Sequence, residues 1–162
     1  MAANRYIHLL LSGLIIVMLS MSAVAQSKAE KVFGVVPDAA RARLLERLHL
    51  YVEYQREKDY DKLFDLFSDA TKNKYFNGLT KADFVKAYQN GDERGSSSRL
   101  IEFTPTDTQK ISADGNDDVF IIYGRAKIAE GNKVTAKKHV SIEAQLQNGD
   151  WYFSLVADIV IN

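Results

Sequence analysis

His139, Ser141 and Glu143 stand two apart in the segment KKHVSIEA, and in an extended chain that spacing puts all three on one face. An imidazole, a hydroxyl and a carboxylate side by side are the groups of nucleophilic or metal chemistry. The same alternation sets them opposite the apolar residues of their own strand, which reads them as a solvated or dimer-facing row. One histidine and one glutamate are also too few to hold a metal. Lys138 falls in phase with the apolar set and is read as a rim residue whose amine snorkels outward. Asp114-Gly115-Asn116-Asp117-Asp118 has the composition of a calcium loop but lacks its spaced ligands and closing glutamate, and is read as a hairpin turn. Lys137, Lys138 and His139 with Lys127 and Lys133 make a small basic cluster, read as a solvated face because the whole chain carries 21 basic against 21 acidic residues. No catalytic residue, metal or cofactor is assigned. The pocket candidates are instead amphipathic aromatics, Tyr51, Tyr54, Tyr88 and Trp151, each with an apolar body and a polar tip; ordinary core packing at helical spacing is the plainer alternative.

The elements that must position these groups are legible in the hydrophobic period. Leu44, Leu45, Leu48, Tyr51, Val52 and Gln55 recur at three and four, predicting an amphipathic helix of about 20 residues from Asp38, with Asp38 as its N-cap. Tyr60, Leu63, Phe64 and Phe67 predict a second helix over Asp59 to Asp69, and Asp59 is its cap candidate. Tyr75 to Leu79 reads as a brief extended piece. Thr80 and Asp83 have the spacing of a capping box, opening a third helix that ends at Asn90-Gly91. Beyond the polar connection Asp92 to Ser98 the period changes to two. Strands are predicted over Leu100 to Ser112, Asp118 to Ala129, Lys133 to Gln147 and Asp150 to Ile161, joined by glycine-containing turns; Pro105 marks a bend, bulge or edge. Asn148-Gly149 is a strong tight-hairpin signal. The inner face is predicted to carry Phe120, Ile122, Gly124, Ala126 and Ile128; Val134, Ala136, Lys138, Val140, Ile142, Ala144 and Leu146; and Trp151, Phe153, Leu155, Ala157, Ile159 and Ile161. The outer face is part-apolar, and Tyr123, His139, Tyr152 and Val156 are its candidate homodimer contacts.

Composition excludes several classes. A hydrophobic content of 46%, with eight Phe, eight Tyr and one Trp, is that of a packed domain rather than a disordered chain. The absence of cysteine removes disulfides, thiolate sites and a lipid-modified cysteine. Residues 1–25 read as a cleaved secretory signal: Arg5 and His8 at the start, the apolar run Leu9 to Leu19, and the small-x-small site Ala23-Val24-Ala25 before Gln26. The run is shorter than the roughly 20 residues that span a bilayer, so membrane attachment is expected only if the leader stays on. Removing it takes away one arginine and no acid, leaving 20 basic against 21 acidic residues. That balance argues against a nucleic-acid partner. The expected organisation is a signal peptide at 1–25, a tail or linker at 26–37 and one α+β domain at 38–162, three helices on an antiparallel meander, in a periplasmic or secreted product.

The segments YVEYQREKDYDKLFDLFS (Tyr51 to Ser68), TKADFVKAY (Thr80 to Tyr88) and NGDWYFSLV (Asn148 to Val156) resemble the nuclear-transport-factor-2-like superfamily, which includes the SnoaL-like cyclases and the ketosteroid-isomerase group. The resemblance covers Asp38 to about Val160. It implies a cystatin-like cone, a long curved sheet wrapped around three helices with an apolar pocket at the open end. Enzymes of this superfamily place a carboxylate or histidine inside the cone. The inner-face positions here are aliphatic and aromatic, so no such set is carried over. The reading is an exported, non-catalytic module binding a small apolar ligand or a protein partner; the alternative is a SnoaL-like isomerase, cyclase, dehydratase or hydrolase of a small hydrophobic substrate. The leader itself makes a direct prediction: N-terminal sequencing of the exported protein should begin at Gln26, and a mature product that still carries Leu9 to Leu19 would refute cleavage.

Overall fold

The computed structural model describes residues 29–111 and 118–158. The predicted signal peptide, the Asp114 turn and the strand end at Ile159 to Ile161 lie outside them. The chain divides into two compact units, Met1–Gly34 and Val35–Asn162. Of the first, residues 29–33 are helical. Among its described residues the second holds four helices, α1 (Asp38–Glu57), α2 (Tyr60–Asp65), α3 (Asp69–Tyr75) and α4 (Lys81–Glu93), and five strands, β1 (Ser98–Ile111), β2 (Asp118–Glu130), β3 (Lys133–Gln147), β4 (Asp150–Phe153) and β5 (Ala157–Asp158). The class is α+β, with the helices first and an open antiparallel sheet in the order β1-β2-β3-β4 after them; β5 pairs with β3.

The helix starts follow capping chemistry. The Asp59 carboxylate accepts from the Lys62 N–H, and Thr80 with Asp83 forms a full capping box. Three expectations are corrected. Asp38 is not the cap of α1: Pro37 holds that position without a side-chain bond, and the Asp38 carboxylate takes Arg41 instead, at 2.6 Å. The second predicted helix ends four residues early, at Asp65. The chain straightens at Leu66 to Ser68, where the Ser68 N–H donates to the Phe153 carbonyl at 3.1 Å and the Phe153 N–H to the Leu66 carbonyl at 2.8 Å. Ser68 then caps α3, a helix the sequence reading did not assign, which ends at Tyr75, where an extended piece was expected to begin. Finally, α4 runs past Gly91 to Glu93, and the Gly91 carbonyl accepts the N–H groups of Ser96 and Ser97.

The sheet follows the period-two pattern until irregularities reverse it. Phe120, Ile122, Ala126 and Ile128 of β2 and Val140, Ile142 and Ala144 of β3 are buried, as are Trp151 and Phe153. Gly124 faces Val140, but Ala126 faces Lys137, so β3 carries an extra residue at this point. The bulge swaps the faces beyond it: Val134 is 57% exposed while Thr135 pairs opposite the buried Ile128. The inner-face reading of Val134, Ala136 and Lys138 is therefore wrong. The fourth strand likewise breaks. Its register puts Ala144 against Phe153, yet Val140 pairs with Asp158 rather than with Ala157. One residue is gained across Ser154 to Val156, and the strand does not continue unbroken as expected. The hairpin at Asn148-Gly149 forms as read, with φ values of 52° and 82°.

Two contacts at the start of β4 tie α1 to the sheet. Trp151 is fully buried, 5.4 Å from the Phe120 ring, and its Nε1–H donates to the Ala40 carbonyl at 3.0 Å. Beside it Asp150 receives the Arg43 guanidinium at 3.0 and 3.2 Å, with Arg47 at 3.3 Å. Partial burial pushes the Asp150 carboxyl up, but the Arg43 hydrogen bonds, the Trp151 N–H and the Arg47 charge outweigh it, and the group lies below the usual carboxylate range.

Because its folded pKa is depressed, Asp150 adds stability above the unfolded value of about 4, and that contribution fades as pH falls through the folded pKa. Asp150→Asn should be less stable than the parent at pH 7, and the gap between the two urea midpoints should narrow steadily below about pH 4; a gap that does not change with pH would refute the assignment. Gly124 makes a second prediction. A Cβ there would lie 2.6 Å from both Phe103 Cε2 and the Thr104 carbonyl oxygen. Gly124→Ala should cost about 1–3 kcal/mol in urea unfolding.

Candidate functional site

Between the helices and the sheet lies a cavity of about 220 Å³. One face of α1 supplies Tyr51 and Gln55, one turn apart. Leu63 of α2, Phe67 beyond it and Tyr88 of α4 form the helical wall. Ser98 and Leu100 of β1 and Ile128 of β2 form the sheet wall, and Leu155 and Val156 enter from the break after β4. The aromatic side is a continuous cluster. Tyr51 packs on Phe153 at 4.9 Å and on Phe67 at 6.1 Å between ring centroids; Tyr88 packs on Phe84 at 4.5 Å and Tyr60 at 5.0 Å.

Most of the polar atoms here are already engaged. The Tyr51 hydroxyl donates to the Ser154 carbonyl at 2.8 Å. The Gln55 side-chain oxygen accepts from the Leu100 N–H at 3.0 Å, satisfying a buried strand amide. Burial, and secondarily the nearby Tyr88, push the Tyr51 phenol far up despite the opposing Gln55 contact; burial alone raises Tyr88. Both are neutral donors at physiological pH. The Tyr88 hydroxyl makes no hydrogen bond among the described residues, and no described carboxylate or imidazole lines the cavity.

Asp92, in the last turn of α4, is the centre of a hydrogen-bonded node. Its carboxylate accepts from the Tyr60 hydroxyl at 2.6 Å and Lys58 at 3.1 Å, and from the Ser97 hydroxyl, with Arg99 at 3.4 Å. Desolvation acts against the charge, but these donors prevail and keep the group ionised. The Tyr60 ring packs against Tyr88 at a tilt of 46° and so joins this node to the cavity wall.

Of the four pocket candidates the structure brings Tyr51 and Tyr88 together at this cavity. Tyr54 and Trp151 stand elsewhere. Each residue turns a helix by about 100°, so Gln55 stays near the Tyr51 face while Tyr54 swings away, and Lys62 lies over its ring at 5.4 Å. Trp151 is sealed between α1 and β2. The outer-face candidates also separate. Tyr123 donates to the Gln109 side chain at 3.2 Å, Tyr152 lies beneath the Arg47 guanidinium at 5.5 Å, and His139 is exposed at the β3 bulge. Val156 lines the cavity because the chain leaves the strand before reaching it.

Asp83 closes the capping box, and Glu102 pairs with Lys127 at 2.6 Å. Ser141 and Glu143 line a separate cleft of about 230 Å³ with Thr71, Lys74 and Tyr75 of α3; His139 is not in it. Among the described residues no three histidines or acids cluster as a metal site, and no helix is long and apolar enough to cross a membrane. Sequence reasoning did not single out Gln55, Leu63, Phe67 and Ser98 as cavity residues. The helical stripes contained the first three and the inner-face set contained Leu155, but nothing in the pattern marked the strand break that admits Val156.

No protein-family model and no curated protein matches the chain. Among solved structures, a protein from Catenulispora acidiphila is similar with a TM-score of 0.50 and 12% identity, over 72% of this chain and 89% of that one. The solution structure of a SEC-C motif containing protein from Rhodopseudomonas palustris aligns with a TM-score of 0.41 and 15% identity, over 83% of this chain and 91% of that one. The first likeness is one of fold alone.

Proposed function

We propose that this chain is an exported, non-catalytic module of the nuclear-transport-factor-2-like kind, a cystatin-like cone whose interior takes a small apolar ligand. The single observation that carries the reading is the cavity of about 220 Å³, with aliphatic and aromatic walls and the unengaged hydroxyl of Tyr88 among them. A dry cavity of about 150 Å³ accommodates benzene, so this one suits a single ring with a few further carbons. The Tyr88 hydroxyl donates to one acceptor on that ligand. The order of helices before meander and the export-type leader support the superfamily and the location. A proton-transfer enzyme of this shape needs an acid or imidazole at the substrate, and the described lining offers phenols, an amide and a serine.

Thermal melts of the exported chain test the reading with two probes, acetophenone and ethylbenzene. Both should raise the melting temperature in a saturable way, since a ligand at a hundredfold excess over its Kd stabilises by about 2.7 kcal/mol. Tyr88→Phe should weaken acetophenone by about two- to tenfold, the net worth of one hydrogen bond, and leave ethylbenzene unchanged. No shift with either probe would end the proposal.

A further inference from the structure

A groove of about 340 Å³ crosses β1, β2 and β3 where β3 bulges. Arg125, Lys127, Lys137 and Lys138 line it, with Thr104 and the carboxylate of Glu102. The register explains the crowding. Gly124 faces Val140 and Ala126 faces Lys137, so Lys138 and His139 both stand against Arg125. Like charges set across a strand pair are destabilising. Glu102, the one acid in the groove, is held by Lys127 at 2.6 Å. Among the described residues neither Arg125 nor Lys138 has an ion-pair partner. The chain as a whole balances 21 basic against 21 acidic residues, so this concentration of positive charge is local. Bulges of this sort redirect side chains and recur beside functional sites.

We propose that the groove binds a small anion of more than one charge, of the phosphate or pyrophosphate class. The Arg125 guanidinium presents the paired N–H fork that matches two anionic oxygens, Lys138 acts as a point charge beside it, and the Thr104 hydroxyl adds a neutral donor. The occupant is compact rather than a long polyanion, because Glu102 lies within the groove beside Lys127 and breaks any extended basic track. The site is separate from the interior cavity and stands or falls independently of it.

Isothermal titration of the full chain with inorganic pyrophosphate at low ionic strength tests this. One saturable site is expected, weakening with added salt. The Arg125→Gln/Lys138→Gln variant should raise Kd at least tenfold, with its fold checked by circular dichroism. Lys138→Gln alone, at an exposed position, should raise it severalfold and serves if the double variant unfolds. Lys86→Gln on α4, away from the groove, should bind as the parent does. The proposal is overturned by the absence of saturable binding, by equal weakening in the groove and Lys86 variants, or by capture on phosphatidylglycerol vesicles without binding of pyrophosphate.

Discussion

The hydrogen bond from the Tyr51 hydroxyl to the Ser154 carbonyl, 2.8 Å long, is the constraint on which the interior depends. β4 ends at Phe153, and a chain leaving a sheet early exposes backbone groups that must find partners. Tyr51 supplies one from the middle of α1. The Ser154 N–H donates to the Glu143 carbonyl, and the Ser154 hydroxyl accepts from the Glu143 N–H, so the departing residue is held from both sides. The interruption thus becomes a fixed wall. Leu155 and Val156 are presented to the cavity, where an uninterrupted strand would have alternated them between faces. The same tyrosine ring packs on Phe67 and Phe153, so the helix, the connection after α2 and the last strand meet at one side chain.

The helical half was largely readable in advance because its signals are local. Asp59, Thr80 and Asp83 cap with their own side chains, and Leu44, Leu48, Tyr51 and Gln55 fall on one stripe. The early end of the second helix was not readable. It depends on Leu66 to Ser68 bonding to Phe153, roughly 85 residues later, and local propensity carries no trace of such a partner. The inner and outer faces of β2 were read correctly throughout its regular stretch. β3 was read correctly only from Val140 onward, because one extra residue inverts every assignment beyond it. The site was half legible for the same reason. Tyr51 and Tyr88 are placed by helix geometry, whereas Val156 changed role when its strand ended early.

Irregularity in this sheet is therefore where its polar and open features collect. The regular stretch of β2 and β3, from Phe120 to Gly124 opposite Val140 to Ala144, is closed and apolar on its inner side. The break after Phe153 opens the interior, and the bulge at Lys138 gathers the cations. Each departs from the pleat by a single residue. Core packing fills the space where the pairing is even, and side chains are redirected where it is not.

The bridge between Phe67 and Phe153 has one further effect. By laying its own backbone alongside β4, the protein blocks that flank against strands from other molecules. The opposite flank is β1, whose row of donors is interrupted by Pro105, which has no N–H, and by extra residues near Ile101 and Thr106. A foreign peptide approaching there meets no continuous template. A sheet of this length is a hazard for fibrillar stacking, and here one margin is capped at β4 by the Phe67–Phe153 bridge while the other is interrupted by broken periodicity.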